Sequence, residues 1–285
     1  MANNTQVAAQ KVTVSSLTQN PAVAKRFSDI LGKKSAGFIS SLVSLSKTKA
    51  LAVADANTVV ASSLIAASLD LPIVPTLGFA AIVPFYDSKT KCTIAQFQIM
   101  TKGLIQLAQR SGQYKTINVT SVYDGDIKGY NRFTGEIEFN NSNVPDQNAE
   151  PIGYVAYMQL TNGFEKYLYM TSEELKAHGL RFSQTFKKGF GLWKDNFEAM
   201  AKKTVLKLLL SKYGPLSVDT QMQLAMQADQ AAIRMESIED TAIADATLEY
   251  VDNSEGVSDA TVVEETPDAK KERVRKSNAE NPELP

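Results

Sequence analysis

The feature that most constrains the fold of this 285-residue chain is a β-hairpin pattern near its middle. The run GYVAYMQLTNGFEKYLYMT covers residues 153–171 and places Asn162-Gly163 between two strand-like segments. Asn-Gly is typical of a two-residue hairpin turn, because both central residues of that turn need a positive φ angle. The pattern therefore predicts a pair of antiparallel strands.

More strand patterns precede this hairpin. The segments GFAAIVPFYD and KCTIAQFQ, within residues 78–98, predict two strands joined by a polar turn at residues 87–90. The segment YKTINVTSVYDGD, from residue 114, alternates apolar and polar side chains as a half-buried strand does. The segment GYNRFTGEIEF, from residue 129, predicts a short hairpin that is followed by a polar loop.

Helical spacing of apolar residues predicts several helices in the first half of the chain. The segment from NPAVAKR to LVSLS predicts two short helices that are broken near Gly32. The segment DANTVVASSLIAASLDLP predicts a helix that Asp55 or Asn57 caps and that Pro72 ends. The segment IMTKGLIQLAQRSG predicts a further helix that Gly112 stops.

Two more helices are predicted in the second half. Thr171, with Glu174 three residues on, has the spacing of a capping box and predicts a helix through Ala177. A basic loop, RFSQTFKKGFG, follows from Arg181. The run WKDNFEAMAKKTVLKLLLSKYG, residues 193–214, then predicts a long helix.

This long helix has an apolar side and a lysine-rich side. Its apolar residues recur at helical spacing and form one stripe, in which we expect Trp193 and Phe197 to belong to the core. Lys203 and Lys207 are one turn apart with Lys202 beside them, so we expect the three ammonium groups to point outward as a row. The row either solvates an exposed face or binds a polyanion, and the helix alone leaves both interpretations open.

Composition divides the chain into three regions. Residues 1–24 begin with a polar stretch poor in large apolar side chains and predict a flexible arm. Residues 25–216 carry the predicted helices and strands and form an α+β body, with small antiparallel hairpins packed against helices. Residues 217–285 predict an acidic tail that is partly helical at first and disordered from Ser237 onward.

The formal net charge of -1 conceals a strong separation of charge along the chain. Residues 1–212 carry 24 basic and 15 acidic side chains, whereas residues 213–285 carry 6 basic and 16 acidic ones. A basic body with an acidic tail is typical of proteins that handle nucleic acid. Many acidic tails serve only solubility, so that explanation of the pattern stays open as well.

Several kinds of site lack the residues that they need. The single cysteine, Cys92, cannot form an intramolecular disulfide, and its place in an apolar strand predicts a small core residue. The only histidine, His178, excludes sites that need two, and we expect it to lie on the surface. The sequence has neither a G-x-x-x-x-G-K-[ST] phosphate loop nor a G-x-G-x-x-G turn, and its carboxylates form no evident catalytic pair. These absences leave a nuclease or a glycosidase open, but no residue pattern supports either, so we expect a protein that is not an enzyme and that holds no cofactor or metal.

The same sequence features bear on location. The first residues, MANNTQVAAQ, lack the order of a secretion signal. No apolar run approaches the roughly 20 residues of a membrane span. Together with the single cysteine, these features predict a cytoplasmic protein with no membrane association.

Basic residues interleaved with polar and aromatic ones form three candidate binding sets. Lys102 lies two turns before Arg110 on one predicted helix, so the two can share a face. Lysine and arginine neutralise phosphates, an arginine can clamp a phosphate bidentately, and an exposed ring such as that of Tyr114 can stack on a base. Taken singly, each charge is better explained by solvation at the surface. The DNA-binding candidates are Lys102, Arg110, Gln113, Tyr114, Lys115, Lys187, Lys188, Lys202, Lys203 and Lys207.

Three segments of the chain together resemble the RecT family of phage and prophage recombinases. They are SLDLPIVPTLGFAAIVPF, AQFQIMTKGLIQLAQRSGQYKTINV and WKDNFEAMAKKTVLKLLLSKYGPLS, in this order. The resemblance covers residues 25–225. The segments L-A-x-R-[ST]-G-Q and M-A-K-K-T are specific together, whereas either one alone is a weak signal.

The resemblance implies a single-strand annealing protein that binds single-stranded DNA and pairs it with its complement, without ATP, to give an annealed duplex. It also implies assembly into rings or helical filaments, with DNA in a basic groove that runs across successive subunits. The family's motif residues correspond here to every candidate except Tyr114, Lys187 and Lys188. The implied partners are a 5′-to-3′ exonuclease and the host single-strand-binding protein, in a bacterial cell that carries the phage or prophage.

Two other functions fit the same basic body. A passive single-strand-binding protein protects DNA and excludes the complement. A phage structural protein packs near the genome and has no preference for single strands. Mixing the protein with two complementary oligonucleotides separates these functions from annealing.

Overall fold

The computed structural model describes residues 12–88, 90–146, 148–215, 220–229, 232–234 and 247–249. The helices in these residues are α1 (Val14–Gln19), α2 (Pro21–Leu31), α3 (Ser35–Ser46), α4 (Ala56–Ser68), α5 (Thr101–Ser111), α6 (Ser172–Phe182), α7 (Gln184–Lys187), α8 (Leu192–Asp195), α9 (Phe197–Tyr213) and α10 (Thr220–Ala228). The strands are β1 (Ala80–Asp87), β2 (Cys92–Ile99), β3 (Tyr114–Val122), β4 (Ile127–Asn131), β5 (Glu136–Phe139), β6 (Gly153–Leu160), β7 (Glu165–Thr171), β8 (Ala232–Arg234) and β9 (Thr247–Glu249). Short 3-10 turns cover Gly32–Lys34 and Pro75–Leu77.

These strands pair in antiparallel sheets. One sheet has the strand order β1-β2-β8-β9, another has the order β3-β6-β7, and β4 and β5 form a separate hairpin. Strands β6 and β7 pair from Gly153 with Thr171 to Gln159 with Glu165, around the turn that the Asn-Gly pattern predicts. Gly163 in that turn has a positive φ of 90°, but Asn162 does not have a positive φ, so the turn lies where predicted and is not of the predicted two-residue type. The predicted α+β fold with small antiparallel sheets is confirmed.

The main core joins helix α4, strand β2 and helix α9. Helix α4 is buried on nearly every side, with residues 58–67 all buried. Strand β6 turns Tyr154 and Ala156 toward this core, and α9 packs across β3, β6 and β7. Trp193 is buried and Phe197 packs against the core, as predicted. None of the described helices has the length and apolar character needed to cross a bilayer.

A second, smaller cluster lies on the opposite face of the β3-β6-β7 sheet. Val122 and Val155 of that sheet pack there with Ile137 of β5. Successive side chains of a strand point to opposite faces, so Val155 faces the β4-β5 hairpin whereas Tyr154 faces the main core. A small apolar contact thus attaches the hairpin to the body.

Local capping signals set several helix ends as predicted. Asp55 caps α4 by accepting hydrogen bonds from two backbone N–H groups. Thr171 and Glu174 form a capping box at the start of α6, and the helix continues to Phe182, beyond its predicted end. Gly112 ends α5 with a φ of 66°.

The N-terminal helices begin inside the region predicted to be a flexible arm, residues 1–24. Thr13 caps α1 through a capping box, and Val14 and Thr18 of that helix are buried. A six-residue helix with so few buried side chains has too little periodicity to be recognised from sequence. Residues 1–11 lie outside the described residues.

Three other local predictions differ from the structure. The helix predicted from Trp193 is broken at Asn196, whose φ of -147° and ψ of 65° are not helical and whose side chain caps α9. Cys92 is exposed rather than part of the core, because β2 becomes buried only from Ile94 onward. The basic loop predicted after Arg181 contains the short helix α7.

Helix α10 packs onto the body although it lies in the predicted acidic tail, residues 217–285. Its residues Ala225 and Ala228 are buried in the main core, and β8 pairs with β2. Small alanines allow a close approach of the helix, but they are a weak sequence signal for burial. Thr247–Glu249 form β9 within the stretch predicted to be disordered, and the other residues from 237 onward lie outside the described residues.

The close approach of α5 to the segment before β1 depends on Gly103. A β-carbon at this position would lie 2.2 Å from the carbonyl oxygen of Phe79 and 2.9 Å from a side-chain carbon of Ile99. We expect Gly103→Ala to lower the free energy of unfolding by about 1–3 kcal/mol, because the backbone must shift to relieve the overlap. Urea denaturation measures this loss.

Gly37→Ala is the matched control. Gly37 lies inside α3, and a β-carbon there would meet nothing within 4 Å. Alanine is favoured over glycine inside helices by roughly 0.5–1 kcal/mol, so this variant should be at least as stable as the parent. Equal losses in the two variants would contradict a specific close approach at Gly103.

Candidate nucleic-acid interface

The carboxylate of Asp229 is the centre of a buried charge cluster. Lys203 donates to its Oδ1 over 3.1 Å, and Lys207 donates to its Oδ2 over 2.9 Å. The backbone N–H of Ile99, the last residue of β2, also donates to Oδ1, over 3.0 Å. The side chains of Asp229 and Lys203 are 1% and 5% exposed, whereas that of Lys207 is 30% exposed. One carboxylate thus joins two ammonium groups and the end of a strand.

Burial and charge act against each other in this cluster. Burial disfavours the charged form of Lys203 and lowers its pKa, although the Asp229 carboxylate opposes the shift. Burial also raises the pKa of Asp229, but the ammonium groups of Lys203 and Lys207 outweigh it and hold that pKa below its ordinary value. The carboxylate is therefore ionised at neutral pH, and the two lysines share it.

The structure corrects the predicted outward row of lysines on α9. Lys203 points into the body because its partner Asp229 lies there, and its ammonium group is buried. Lys207 is half-buried on the same carboxylate, and Lys202 pairs with Glu198 over 2.7 Å. The predicted row is thus a set of paired charges, of which Lys202 and Lys207 remain partly exposed.

Arg110 supports a turn of the backbone after α4. Its guanidinium group donates to the carbonyl oxygens of Leu69 and Asp70, over 2.7 and 2.9 Å. Asp70 has a φ of 47°, which residues other than glycine rarely adopt, and its carboxylate accepts from Lys34 over 2.6 Å. Arg110 therefore stabilises a strained turn, which leaves fewer of its donors for the phosphate clamp predicted from the sequence.

The turn from α5 to β3 places three neighbouring candidates in different surroundings. The carbonyl oxygen of Gln113 accepts from the N–H of Thr161 over 2.8 Å. Tyr114 is partly buried and packs against the main core, so its ring is not the exposed stacking surface predicted from the sequence. Lys115 is exposed at an irregularity in the pairing of β3 with β6. Of the three, Lys115 is the one with a charge at the surface.

Lys102, Lys187 and Lys188 are exposed as well. Lys102 is the second residue of α5 and lies next to Gly78. Lys187 ends α7 and Lys188 follows it directly, so both belong to a segment separate from α5. The structure thus divides the charged candidates into four exposed lysines and four side chains that are engaged within the chain.

His178 lies among aromatic rings rather than on the open surface. Its ring centroid is 4.6 Å from that of Phe182 and 6.4 Å from that of Trp193. The pKa of His178 is lowered to about 4. Burial is the largest cause, and the positive charges of Lys207 and Arg181 add to it. The ring is therefore neutral in a positively charged part of the body.

Sequence reasoning misses Asp229 because little in its neighbourhood marks it. Its partner Lys203 is 26 residues away along the chain. The local signal is that Asp229 is the one acidic residue in QMQLAMQADQAAI, directly after α10. Over the described part of the chain, no group of three or more His, Cys, Asp or Glu side chains is arranged to hold a metal ion.

Replacing Asp229 tests whether the buried cluster holds the body together. We expect Asp229→Asn to lower the free energy of unfolding by about 3–5 kcal/mol at neutral pH, because it leaves Lys203 buried without a counter-charge. Folding lowers the pKa of Asp229, so its stabilisation is present above the unfolded pKa of 3.8 and is lost as the pH falls through the folded pKa. Urea titrations of parent and variant from neutral to acid pH should therefore converge in acid.

Lys203→Met is the comparison variant for the same cluster. It removes the buried charge with little change of volume, and Asp229 keeps Lys207 and the N–H of Ile99 as partners. Replacing a buried charge by an apolar side chain of similar size is often close to neutral, so we expect a smaller loss than in Asp229→Asn. A larger loss in Lys203→Met would contradict this account.

The lowered pKa of His178 sets the sign of its effect on stability. The unfolded chain binds a proton at His178 below a pH of 6.5, whereas the folded chain does so only at a pH of about 4. The contribution of the neutral ring is therefore complete above 6.5 and is lost as the pH falls between the two values. We expect His178→Gln to flatten the pH dependence of urea denaturation over this range, and an unchanged dependence would contradict the shift.

Comparison with known proteins supplies an independent line of evidence. The model of the RecT family matches residues 36–244, which include all ten candidate residues. The chain is 42% identical over 234 residues to the uncharacterized protein YqaK of Bacillus subtilis (strain 168), covering 82% of this chain and 78% of YqaK. It is 27% identical over 215 residues to protein RecT of Escherichia coli (strain K12), covering 73% of this chain and 76% of that protein. The chain therefore belongs to the RecT family of single-strand annealing recombination proteins.

Proposed function

We propose that this chain binds single-stranded DNA through its phosphates and anneals it to the complementary strand without ATP, acting as an oligomer. The observation that carries the proposal is the extent of the family match. Residues 36–244 span most of the α+β body and contain every candidate DNA-binding residue. The exposed lysines of the body then supply a way to hold the strand.

Lys102 and Lys115 are the proposed phosphate contacts. Both are exposed, and they lie at the starts of α5 and β3, two consecutive elements joined by one turn at Gly112. A lysine that contacts a phosphate releases condensed counterions, so such contacts are independent of base sequence and strongly dependent on salt. Lys187 and Lys188 lie in a separate segment that also exposes large apolar side chains.

The paired basic residues have a supporting role in this proposal. Arg110 holds the turn after α4, and Lys203 ties α9 to the carboxylate of Asp229. Lys202 and Lys207 are partly exposed and add positive potential on α9. Contacts presented from elements that are already fixed bind a strand at a lower entropic cost than contacts on mobile segments.

Annealing is possible because the protein contacts the phosphate backbone of the strand rather than its bases. A strand bound by its phosphates keeps its base edges free to pair with a second strand. Base-pair stacking contributes about 1.4 kcal/mol per step on average, so only a complementary strand forms enough steps to stay. No step requires nucleotide hydrolysis or a covalent reaction, in keeping with a sequence that has no G-x-x-x-x-G-K-[ST] segment. The chain acts as a binding protein rather than as an enzyme.

The proposed setting is the cytoplasm of a bacterium that carries a phage or prophage. A 5′-to-3′ exonuclease there exposes the single strand, and the host single-strand-binding protein meets the recombinase on it. Both partnerships rest on the resemblance to the RecT family. The relatives from Bacillus subtilis and Escherichia coli are proteins of bacteria, which supports this setting.

Strand annealing without ATP or magnesium tests the function. The protein is loaded on one labelled oligonucleotide and is then challenged with the complement or with an unrelated strand. We expect a protein-bound duplex with the complement and no capture of the unrelated strand, because only base pairing stabilises the product. Exclusion of the complement would identify a passive protective protein, and binding without preference for single strands would identify a structural one.

Salt dependence tests the proposed phosphate contacts. Each contact to a single strand contributes about 0.7 to the slope of log Kd against log salt concentration, so we expect Lys102→Ala/Lys115→Ala to lower the slope by about 1.4. The loss of affinity should be alike for all sequences and is measured by fluorescence anisotropy. Lys47→Ala/Lys49→Ala removes the same charge from exposed positions after α3 and is the matched control. Equal slopes in the two variants would remove Lys102 and Lys115 from the DNA path.

A further inference from the structure

Residues 123–150 form a segment with an excess of negative charge, here called the acidic lobe. It is centred on the β4-β5 hairpin and carries six acidic and two basic side chains. The acidic residues are Asp124, Asp126, Glu136, Glu138, Asp146 and Glu150. A net charge of -4 on one small unit stands out in a body that is otherwise basic.

The acidic lobe exposes large apolar side chains in β4, in the turn after it and in the segment after β5. Phe133 is 85% exposed, Val144 is 88% exposed and Tyr130 is 54% exposed. The side chain of Asn131 accepts from the N–H of Phe133 over 3.0 Å, and the guanidinium carbon of Arg132 lies 4.7 Å from the centre of the Phe133 ring. Several exposed apolar side chains rimmed by polar residues are typical of a surface that a partner covers.

The acidic lobe is attached to the β3-β6-β7 sheet of the body. Ile137 packs against Val122 and Val155 of the β3-β6-β7 sheet. Lys166 of β7 donates a hydrogen bond to the carbonyl oxygen of Thr134, next to the tip of the hairpin. These contacts fix the position of the acidic lobe and leave the side chain of Phe133, in the hairpin turn, exposed to solvent.

Residues 176–194 form a second segment of opposite charge, here called the basic segment. Its five basic side chains are accompanied by no acidic one. The basic residues are Lys176, Arg181, Lys187, Lys188 and Lys194. Leu180, Phe190 and Leu192 of this segment are 47%, 54% and 49% exposed. The rings of His178 and Phe186 in this segment pack near the buried ring of Trp193.

Within one chain, the described residues of the acidic lobe and the basic segment form no ion pair with each other. Among the residues that the structure describes, ion pairs involve Asp70, Glu198 and Asp229, none of which belongs to either segment. Each segment also leaves three large apolar side chains exposed among the described residues. Their opposite charges and apolar surfaces are therefore available to complement each other between two chains.

We propose that the acidic lobe of one copy of this chain docks onto the basic segment of the next copy. Attraction between net charges of -4 and +5 and burial of the exposed apolar side chains both stabilise the contact. This inference rests on the proposed function, because it specifies the contact through which the annealing oligomer forms. Phosphates would be repelled by the acidic lobe, which disfavours DNA as its occupant.

The proposed contact is heterologous, because it joins two different surfaces. Repeating it adds copies in one direction and gives a ring where the rotation closes, or a helical filament where it does not. In this contact, Lys187 and Lys188 of one copy face the acidic lobe of the neighbouring copy. The contact leaves Lys102 and Lys115, which lie on other elements, to the DNA.

Charge reversal tests the contact by complementation. Lys187→Glu/Lys188→Glu should disperse the oligomer, because two acidic surfaces then face each other. Glu136→Lys/Glu138→Lys should disperse it as well, by reversing the charge on the other side of the contact. An equimolar mixture of the two variants places opposite charges at every contact, so we expect assembly to return. Sedimentation velocity, without DNA and with an oligonucleotide, measures the size of the particles.

Two further variants separate the contact from a general effect of charge. Lys47→Glu/Lys49→Glu makes the same change of charge outside both segments and should assemble like the parent. Phe133→Ser removes an apolar side chain that is already in solvent, so folding should be unaffected. We expect it to raise the concentration needed for assembly by at least about tenfold, because buried aromatic side chains dominate many interfaces.

Failure of the contact is distinguishable from failure of the proposed function. A mixture that stays dispersed, or a parent chain that does not assemble under either condition, overturns the contact even if the parent anneals complementary strands. Normal assembly of Lys187→Glu/Lys188→Glu together with lost DNA binding would overturn it too, and would assign the basic segment to DNA. If the mixture of the two variants assembles but the parent chain does not anneal complementary strands, the contact stands and only the proposed function is contradicted.

Discussion

The buried carboxylate of Asp229 is the interaction on which the arrangement of the body depends. An ionised carboxylate removed from water costs on the order of several kcal/mol unless charges and donors surround it. Here the partners are the end of β2 and two lysines of α9, which come from distant parts of the chain. The cluster therefore ties the helix that crosses the β3-β6-β7 sheet to the other sheet and to the end of α10. The surface lysines are presented by elements that this cluster helps to hold in place.

The elements that sequence patterns predict correctly are those whose causes lie within a few neighbouring residues. The Asn162-Gly163 turn and the Asp55 cap each act over about four residues, so the sequence contains the whole cause. The break at Asn196 escapes prediction, because the apolar spacing from Trp193 continues through it. Helix α1 is not predicted for the opposite reason, because its few buried side chains give almost no periodic signal.

The candidate interface is predictable as a set of positions but not as a set of roles. A lysine in a helical pattern reads the same whether it is solvated, paired with a carboxylate or bound to a phosphate. Lys203 is buried because of a carboxylate 26 residues later, and Arg110 is engaged because the chain turns at Asp70. Both causes are tertiary, so the structure is needed to separate supporting charges from exposed ones. The resemblance of three segments to a family identifies the function class without assigning these roles.

Separation of charge explains how a chain with a net charge of -1 can bind a polyanion. In the proposed assembly, the acidic lobe and the basic segment neutralise each other at every contact between copies. The charge near the bound DNA is then set by lysines that lie outside this contact. Each added copy then brings another Lys102 and Lys115 to the same strand, and affinity grows with the number of copies rather than with the strength of one site. Salt screens the contact between copies and the contacts to phosphates alike. Loss of the contact between copies would therefore weaken DNA binding as well, because each chain would then hold the strand alone.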